Sequence, residues 1–127
     1  MNPFPPSGNI IMSFFEYQGQ LCVHLWDFRL MTTSDGISWH QFGRLMPRIQ
    51  NWIEIDNYMF FYLDDGITLI GPDKDDLRLY RLPKENLVGR AITSIRRFND
   101  DLVITTSNGI FYKNFYQVMN DRILVTN

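Results

Sequence analysis

Short apolar runs alternate with turn-forming residues along most of the chain. Residues 20–25 and 101–106 are typical, since each is a strand-length run with hydrophobic side chains at alternating or consecutive positions. These runs are rich in aromatic and β-branched residues, and Gly, Asn or Asp bounds many of them. Such segments indicate β-strands joined by hairpins. The sequence therefore predicts an all-β fold.

The hairpin pattern recurs three times. Gln18-Gly19, Asp56-Asn57 and Asn99-Asp100 are turn signals, and an apolar residue precedes each of them. They lie roughly 40 residues apart, which is the repeat length of four-stranded propeller blades. We therefore predict about three four-stranded antiparallel propeller-like blades, with a β-sandwich or barrel as the alternative. The approximate blades are residues 9–45, 46–88 and 89–127.

The pattern also gives approximate strand bounds. Residues 1–8 contain three prolines and are predicted to form an irregular arm before a single β domain of residues 9–127. Residues 116–121 are predicted to connect the last two strands. The predicted strands are residues 9–17, 20–25, 28–33, 37–42, 49–55, 58–63, 67–71, 77–82, 90–98, 101–106, 110–115 and 122–126.

Composition supports strands over helices and narrows the choice of partners. The chain is 45% hydrophobic and 15% aromatic, and Ala91 is its single alanine, whereas a helical protein of 127 residues would carry many more. The net charge of -2 provides no basic field for nucleic acid or an anionic membrane. We therefore expect neither partner.

The sequence predicts no metal site and no cofactor. Cys22 is the single cysteine and lies in an apolar run, so we expect a buried structural thiol. His24 and His40 are the two histidines, and we expect strand-surface or satisfied core roles for both. The beginning of the chain lacks the positively charged region of a signal peptide, which predicts a cytoplasmic or virion-associated protein.

The stretch of residues 32–39 is predicted to contain the end of the third strand, a tight turn at residues 34–36 and the start of the fourth strand. Asp35 can accept hydrogen bonds from the backbone of its own turn. Gly36 can adopt a positive φ at no steric cost. Trp39 can bury a large area beside the turn while its indole N–H finds a carbonyl. These roles are structural.

Ser34-Asp35-Gly36-Ile37-Ser38-Trp39 resembles the Asp-box of bacterial-neuraminidase repeats, whose pattern is Ser-x-Asp-x-Gly-x-Thr-Trp. Here the residues between Ser and Asp and between Asp and Gly are missing, and Ser38 replaces Thr. The resemblance implies a propeller blade in which Ser34, Asp35, Gly36 and Trp39 hold the turn, away from any catalytic face. It implies nothing about enzymatic activity.

The sequence predicts a protein that is not an enzyme. Sialidase-type catalysis requires three arginines around a carboxylate, a Tyr–Glu pair and an acidic acid/base. The only glutamates are Glu16, Glu54 and Glu85, and no matching arrangement is recognisable. Five aromatic residues near strand ends are instead candidates for core packing, a protein interface or stacking on a glycan. They are Trp26, Trp52, Tyr62, Tyr112 and Tyr116.

Three blades are fewer than the four to eight that close a propeller, so open flanks are expected. We therefore predict a non-enzymatic binding or assembly module. It would complete its ring as a homo-oligomer or as a subunit of a larger particle, for example a viral tail component. A carbohydrate-binding lectin and a degenerate glycosidase-type propeller fragment are the alternatives.

Overall fold

The computed structural model describes residues 10–45, 51–63, 66–73, 76–83 and 91–125. It is 69% strand and 6% helix, which confirms the all-β prediction. One helix, α1 (Phe115–Asn120), lies among the described residues. The described strands are β1 (Ile11–Tyr17), β2 (Gln20–Leu25), β3 (Arg29–Thr33), β4 (His40–Arg44), β5 (Asn51–Ile55), β6 (Tyr58–Leu63), β7 (Gly66–Asp73), β8 (Asp76–Arg81), β9 (Ile92–Phe98), β10 (Asp101–Thr106), β11 (Gly109–Asn114) and β12 (Ile123–Leu124).

The chain divides into two compact units. In the described part of the chain, the first comprises residues 10–45, and the second comprises residues 51–63, 66–73, 76–83 and 91–125. The first unit contains one antiparallel sheet in the order β1-β2-β3-β4. The last four residues of β2 and of β3 are all buried. Because successive strand residues point to opposite faces, the middle of this sheet is buried on both sides.

The second unit contains two antiparallel sheets, in the orders β12-β8-β7-β6-β5 and β11-β10-β9. Their buried side chains form one core, to which Phe60 and Leu69 contribute from the five-stranded sheet and Leu102 from the three-stranded one. Phe115 and Val118 of α1 complete this core. The spacing of three residues places both side chains on one face of the helix.

The prediction of four strands in every repeat is wrong for the second and third sheets. The described residues form sheets of four, five and three strands, and none of these sheets is closed. Residues predicted to connect the last two strands form α1, because the Asn114 side chain accepts a hydrogen bond from Gln117 N and caps the helix. The last strand, β12, then pairs with β8 instead of β11.

The three predicted first turns are confirmed as two-residue hairpins. Gln18 and Gly19 have φ values of 49° and 77°, and Asp56 and Asn57 have 48° and 69°. Asn99 has a φ of 55°. Left-handed residues in two-residue loops match the twist of the flanking strands. These local signals therefore fix the start of each sheet.

Other predicted bounds differ from the structure. Pro72 and Asp73 were expected in a loop but belong to β7, where they pair with Leu77 and Asp76. The arm of residues 1–8 and the turn residues Asp64 and Asp65 lie outside the described residues.

Gly71 lies in β7 beneath the ring of Tyr58, and a Cβ atom at this position would overlap that ring. We expect Gly71→Ala to lower the free energy of unfolding by about 1–3 kcal/mol, the usual cost of overpacking. Chemical denaturation would measure it. Gly19→Asn is the control, because open space surrounds Gly19 and Asn tolerates its positive φ. Adding Tyr58→Ala should recover part of the loss, and strictly additive effects would contradict this explanation.

Candidate functional site

The loop between β3 and β4 is organised around the Asp35 carboxylate. Its Oδ1 accepts hydrogen bonds from Ile37 N at 2.8 Å and from Ser38 N at 2.9 Å. Gly36 has a φ of 79°, which lets the chain fold back over the carboxylate. The hydrogen bonds from Ser38 N and Ile37 N hold the pKa of Asp35 below its ordinary value. The loop therefore favours the ionised carboxylate.

These hydrogen bonds also explain where β4 begins. Residues 37–42 were predicted to form the fourth strand, with Trp39 inside it, but β4 starts at His40. Ile37 and Ser38 donate their backbone N–H groups to Asp35 and cannot donate them to a sheet ladder. Competition between a side-chain acceptor and the ladder shifts the strand by three residues.

The hydroxyl that closes this loop belongs to Thr33. Thr33 Oγ1 donates to Asp35 Oδ1 at 3.0 Å and accepts from Gly36 N at 2.9 Å. Thr33 is buried, whereas Ser34, to which the resemblance assigned this role, is exposed. The run Thr32-Thr33-Ser34 places three hydroxyls before Asp35, so the sequence alone could not identify the one that turns inward.

Trp39 anchors the loop to the first sheet. Its ring is half-buried against a cluster formed by Val23, Leu25 and Met31. These three residues lie on β2 and β3, so the loop and the sheet share one apolar contact. The loop is thus a structural element, held by the hydrogen bonds of Thr33 and Asp35 and by the apolar contact of Trp39.

The five candidate aromatic residues are divided between the two units. Trp26 lies in the β2–β3 turn of the first unit, and the other four lie in the second unit. Tyr62 is half-buried and donates its hydroxyl to Thr93 O at 3.2 Å, which joins β6 to β9. The other four side chains are exposed, at 56% for Trp26, 51% for Trp52, 64% for Tyr112 and 60% for Tyr116.

Tyr116 is held in place although its ring is exposed. Its hydroxyl accepts a hydrogen bond from Arg97 Nη2 at 3.2 Å. The Arg97 guanidinium lies 4.4 Å from the centroid of the Phe115 ring and also pairs with Asp56. Arg97 therefore fixes the start of α1 to β9, and Tyr116 is a preorganised surface ring.

A cavity of about 210 Å³ lies beside the β2–β3 turn and was not predicted from the sequence. Its described lining residues are Met12, His24, Trp26 and Phe28. Phe28 N donates to Leu25 O at 2.9 Å and closes the turn. Phe28 itself has a φ of 72°, although the left-handed position of a three-residue hairpin loop normally carries Gly.

His24 is completely buried at this cavity. Its Nε2 lies 2.8 Å from Leu45 O, and because a carbonyl only accepts, Nε2 carries the proton. Nδ1 is then an acceptor, and it has no hydrogen-bond partner in the described part of the chain. Burial lowers the pKa of His24, more than the hydrogen bond to Leu45 raises it, so the neutral ring is favoured. A core role for His24 was expected, but only half of the ring is satisfied.

Cys22 is a buried free thiol, as predicted, and burial raises its pKa. Within the described ranges, no group of three or more His, Cys, Asp and Glu side chains could hold a metal ion. No helix in the same ranges is long and apolar enough to cross a membrane.

The hydrogen bonds of the Asp35 loop predict that the Thr33 hydroxyl contributes more to stability than the adjacent Ser34 hydroxyl. We expect Thr33→Ala to lower the free energy of unfolding by about 1 kcal/mol, because it removes a buried hydroxyl that makes three hydrogen bonds. Ser34→Ala is the matched control and should change stability by less than about 0.5 kcal/mol. Urea denaturation would measure both variants. If Ser34→Ala destabilised the protein more than Thr33→Ala, Ser34 would be the residue whose hydroxyl closes the loop.

The same loop predicts a pH dependence. The folded pKa of Asp35 lies below its ordinary value of 3.8, so the ionised carboxylate stabilises the fold above that value. This contribution is lost as the pH falls through the folded pKa. Asp35→Asn should therefore be less stable than the parent protein at neutral pH, and the difference should shrink below pH 3.8. A difference that stays constant with pH in thermal melts would contradict this assignment.

In comparisons with known proteins, the sequence matches no protein-family model and no curated protein.

Proposed function

We propose that this protein is a non-enzymatic assembly module built from propeller-like blades. Its partner is a second copy of itself or a subunit of a larger particle, such as a viral tail. The observation that carries the proposal is that the three described sheets remain separate and open. An open edge presents unpaired backbone N–H and C=O groups, which another chain can pair.

Apolar side chains along two edge strands support this proposal. In the three-stranded sheet, β11 pairs with β10 on one side, and its Ile110 and Tyr112 side chains are exposed. In the four-stranded sheet, β1 is also an edge, and Phe14 on this strand is 73% exposed. Aromatic anchors in a partly apolar patch are typical of protein interfaces.

The four-stranded sheet of the first unit supports the interpretation of the sheets as propeller-like blades. Its sheet is a four-stranded antiparallel meander whose middle strands are buried on both faces, which suits a blade packed between neighbours. The Asp35 loop joins its third and fourth strands, where an Asp-box lies in a blade. Two such chains related by two-fold symmetry would provide six blades, within the range that closes a propeller.

Carbohydrate binding is the second candidate function. The large exposed fractions of Trp26 and Trp52 favour it, because indole rings stack on the apolar faces of sugars. A glycan array would separate the two functions. Binding that is lost in Trp26→Ala or Trp52→Ala would support a lectin, whereas binding to no glycan would leave assembly as the better proposal.

Self-association predicts the mass in solution. Sedimentation at low micromolar concentration should give at least twice the chain mass of 15.1 kDa. A monomer of 15.1 kDa that unfolds cooperatively would contradict closure by self-association. In that case only assembly with a different subunit would remain.

Edge-strand variants identify the contact. We expect Tyr112→Glu or Phe14→Glu to weaken association by at least about tenfold, because a charge would be buried at the interface. Ile37→Glu is the control, since Ile37 is 81% exposed and lies in the Asp35 loop. The dimer dissociation constant from sedimentation is the measurement. Unchanged association of both edge variants would exclude these edges as the interface.

A further inference from the structure

The cavity beside the β2–β3 turn combines three features that each have a free-energy cost. Trp26 exposes more than half of its surface, Phe28 has left-handed backbone geometry, and His24 buries an acceptor without a partner. Trp26 and Phe28 lie in the β2–β3 turn and His24 lies near the end of β2, and all three line one cavity. Local costs of this kind concentrate at functional sites.

Phe28 is a poor choice for its position on structural grounds alone. A bulky residue with a φ of 72° costs about 1–3 kcal/mol, and Gly or Asn would adopt this geometry more easily. The residue nevertheless supplies an aromatic wall to the cavity, and its ring lies 6.4 Å from that of His24. The ring, rather than the turn, explains why Phe occupies this position.

His24 determines which polar group a ligand must carry. Its Nε2–H is used by Leu45 O, so its remaining nitrogen can only accept a hydrogen bond. An unpaired buried acceptor costs about 1–3 kcal/mol. A ligand that brings one donor into the cavity would recover that cost.

We infer that this cavity binds a single aromatic ring with one hydrogen-bond donor, such as a phenol or an indole. The ring packs against Trp26, Phe28 and Met12, and its O–H or N–H donates to His24 Nδ1. A dry apolar cavity of about 150 Å³ holds benzene, so 210 Å³ is large enough for either ring. This inference goes beyond the assembly function and does not depend on it.

The lining disfavours a sugar ring. A pyranose carries several hydroxyls, and each one that is buried without a partner costs free energy. The described lining consists of three apolar side chains and His24, whose Nδ1 has no hydrogen-bond partner among the described residues. A ring with one donor matches this set, whereas a ring with four or five hydroxyls does not.

The experiment uses the full chain and follows the indole N–H resonance of Trp26 by NMR during titration. The probes are para-cresol and methylindole, with toluene as the ring that lacks a donor and methyl glucoside as the sugar. We expect para-cresol and methylindole to shift this resonance and to bind at least about fivefold more tightly than toluene. A peptide with a central tyrosine distinguishes the two sources of a phenol. If the peptide binds more tightly than para-cresol, the natural ligand is a tyrosine side chain of another protein. If the peptide binds more weakly, the natural ligand is a free small molecule.

Two variants test the named contacts. His24→Gln keeps a donor for Leu45 O, and its acceptor oxygen does not occupy the position of Nδ1, so it should abolish the advantage of para-cresol over toluene. Phe28→Asn suits the left-handed turn and removes one wall, so it should weaken both ligands. Phe98→Ala, which removes an exposed aromatic ring in the other unit, is the control and should change neither affinity.

The inference is overturned by any of three results. The first is that neither para-cresol nor methylindole shifts the Trp26 resonance at about 10 mM, a concentration above the millimolar dissociation constants of small fragments. The second is that toluene binds as tightly as para-cresol, or that His24→Gln leaves the difference in affinity between these two ligands unchanged. The third is that methyl glucoside binds and para-cresol does not, which would assign the cavity to carbohydrate.

Discussion

The backbone hydrogen bonds at sheet edges are the constraint on which the rest of this structure depends. Three separate antiparallel sheets leave more edges than one barrel or one closed ring would. The chain covers one of these edges itself, because β12, which was predicted to belong to the third sheet, pairs with β8. The edge at β11 is then left without the fourth strand that a regular repeat would supply. The shape of the second unit and the proposed assembly follow from this single exchange.

Local sequence signals predict the parts of the fold that local physics decides. The left-handed turn at Asp56-Asn57 and the apolar run of β6 require only neighbouring residues, and both lie where the sequence places them. The strand β4 could not be placed correctly, because Asp35 takes the backbone donors of the two residues before Trp39. The pairing of β12 could not be predicted either, because it depends on whether α1 or a strand fills the core beside β10. Phe115 and Val118 are compatible with either until the packing of two sheets is known.

The candidate site was the least predictable part for the same reason. Trp26 is recognisable from the sequence as an aromatic residue beside a turn, but its cavity depends on the conformation of Phe28. Nothing in the residue type signals a positive φ, since Gly and Asn are the usual occupants of that position. His24 is recognisable as a residue within an apolar strand. Its unpaired nitrogen follows only from the approach of Leu45, which is distant along the chain.

The two turns that flank β3 have opposite energetic characters, and this contrast supports the proposed ligand site. At the β3–β4 loop, Thr33, Asp35 and Gly36 satisfy one another, and Trp39 is packed, so each residue stabilises the fold. At the β2–β3 turn, a strained Phe28 and a half-satisfied His24 surround an open cavity. Selection for stability alone would remove such costs, whereas binding can offset them. The recognisable motif is therefore the scaffold, and the turn that precedes it is the better place to look for a ligand.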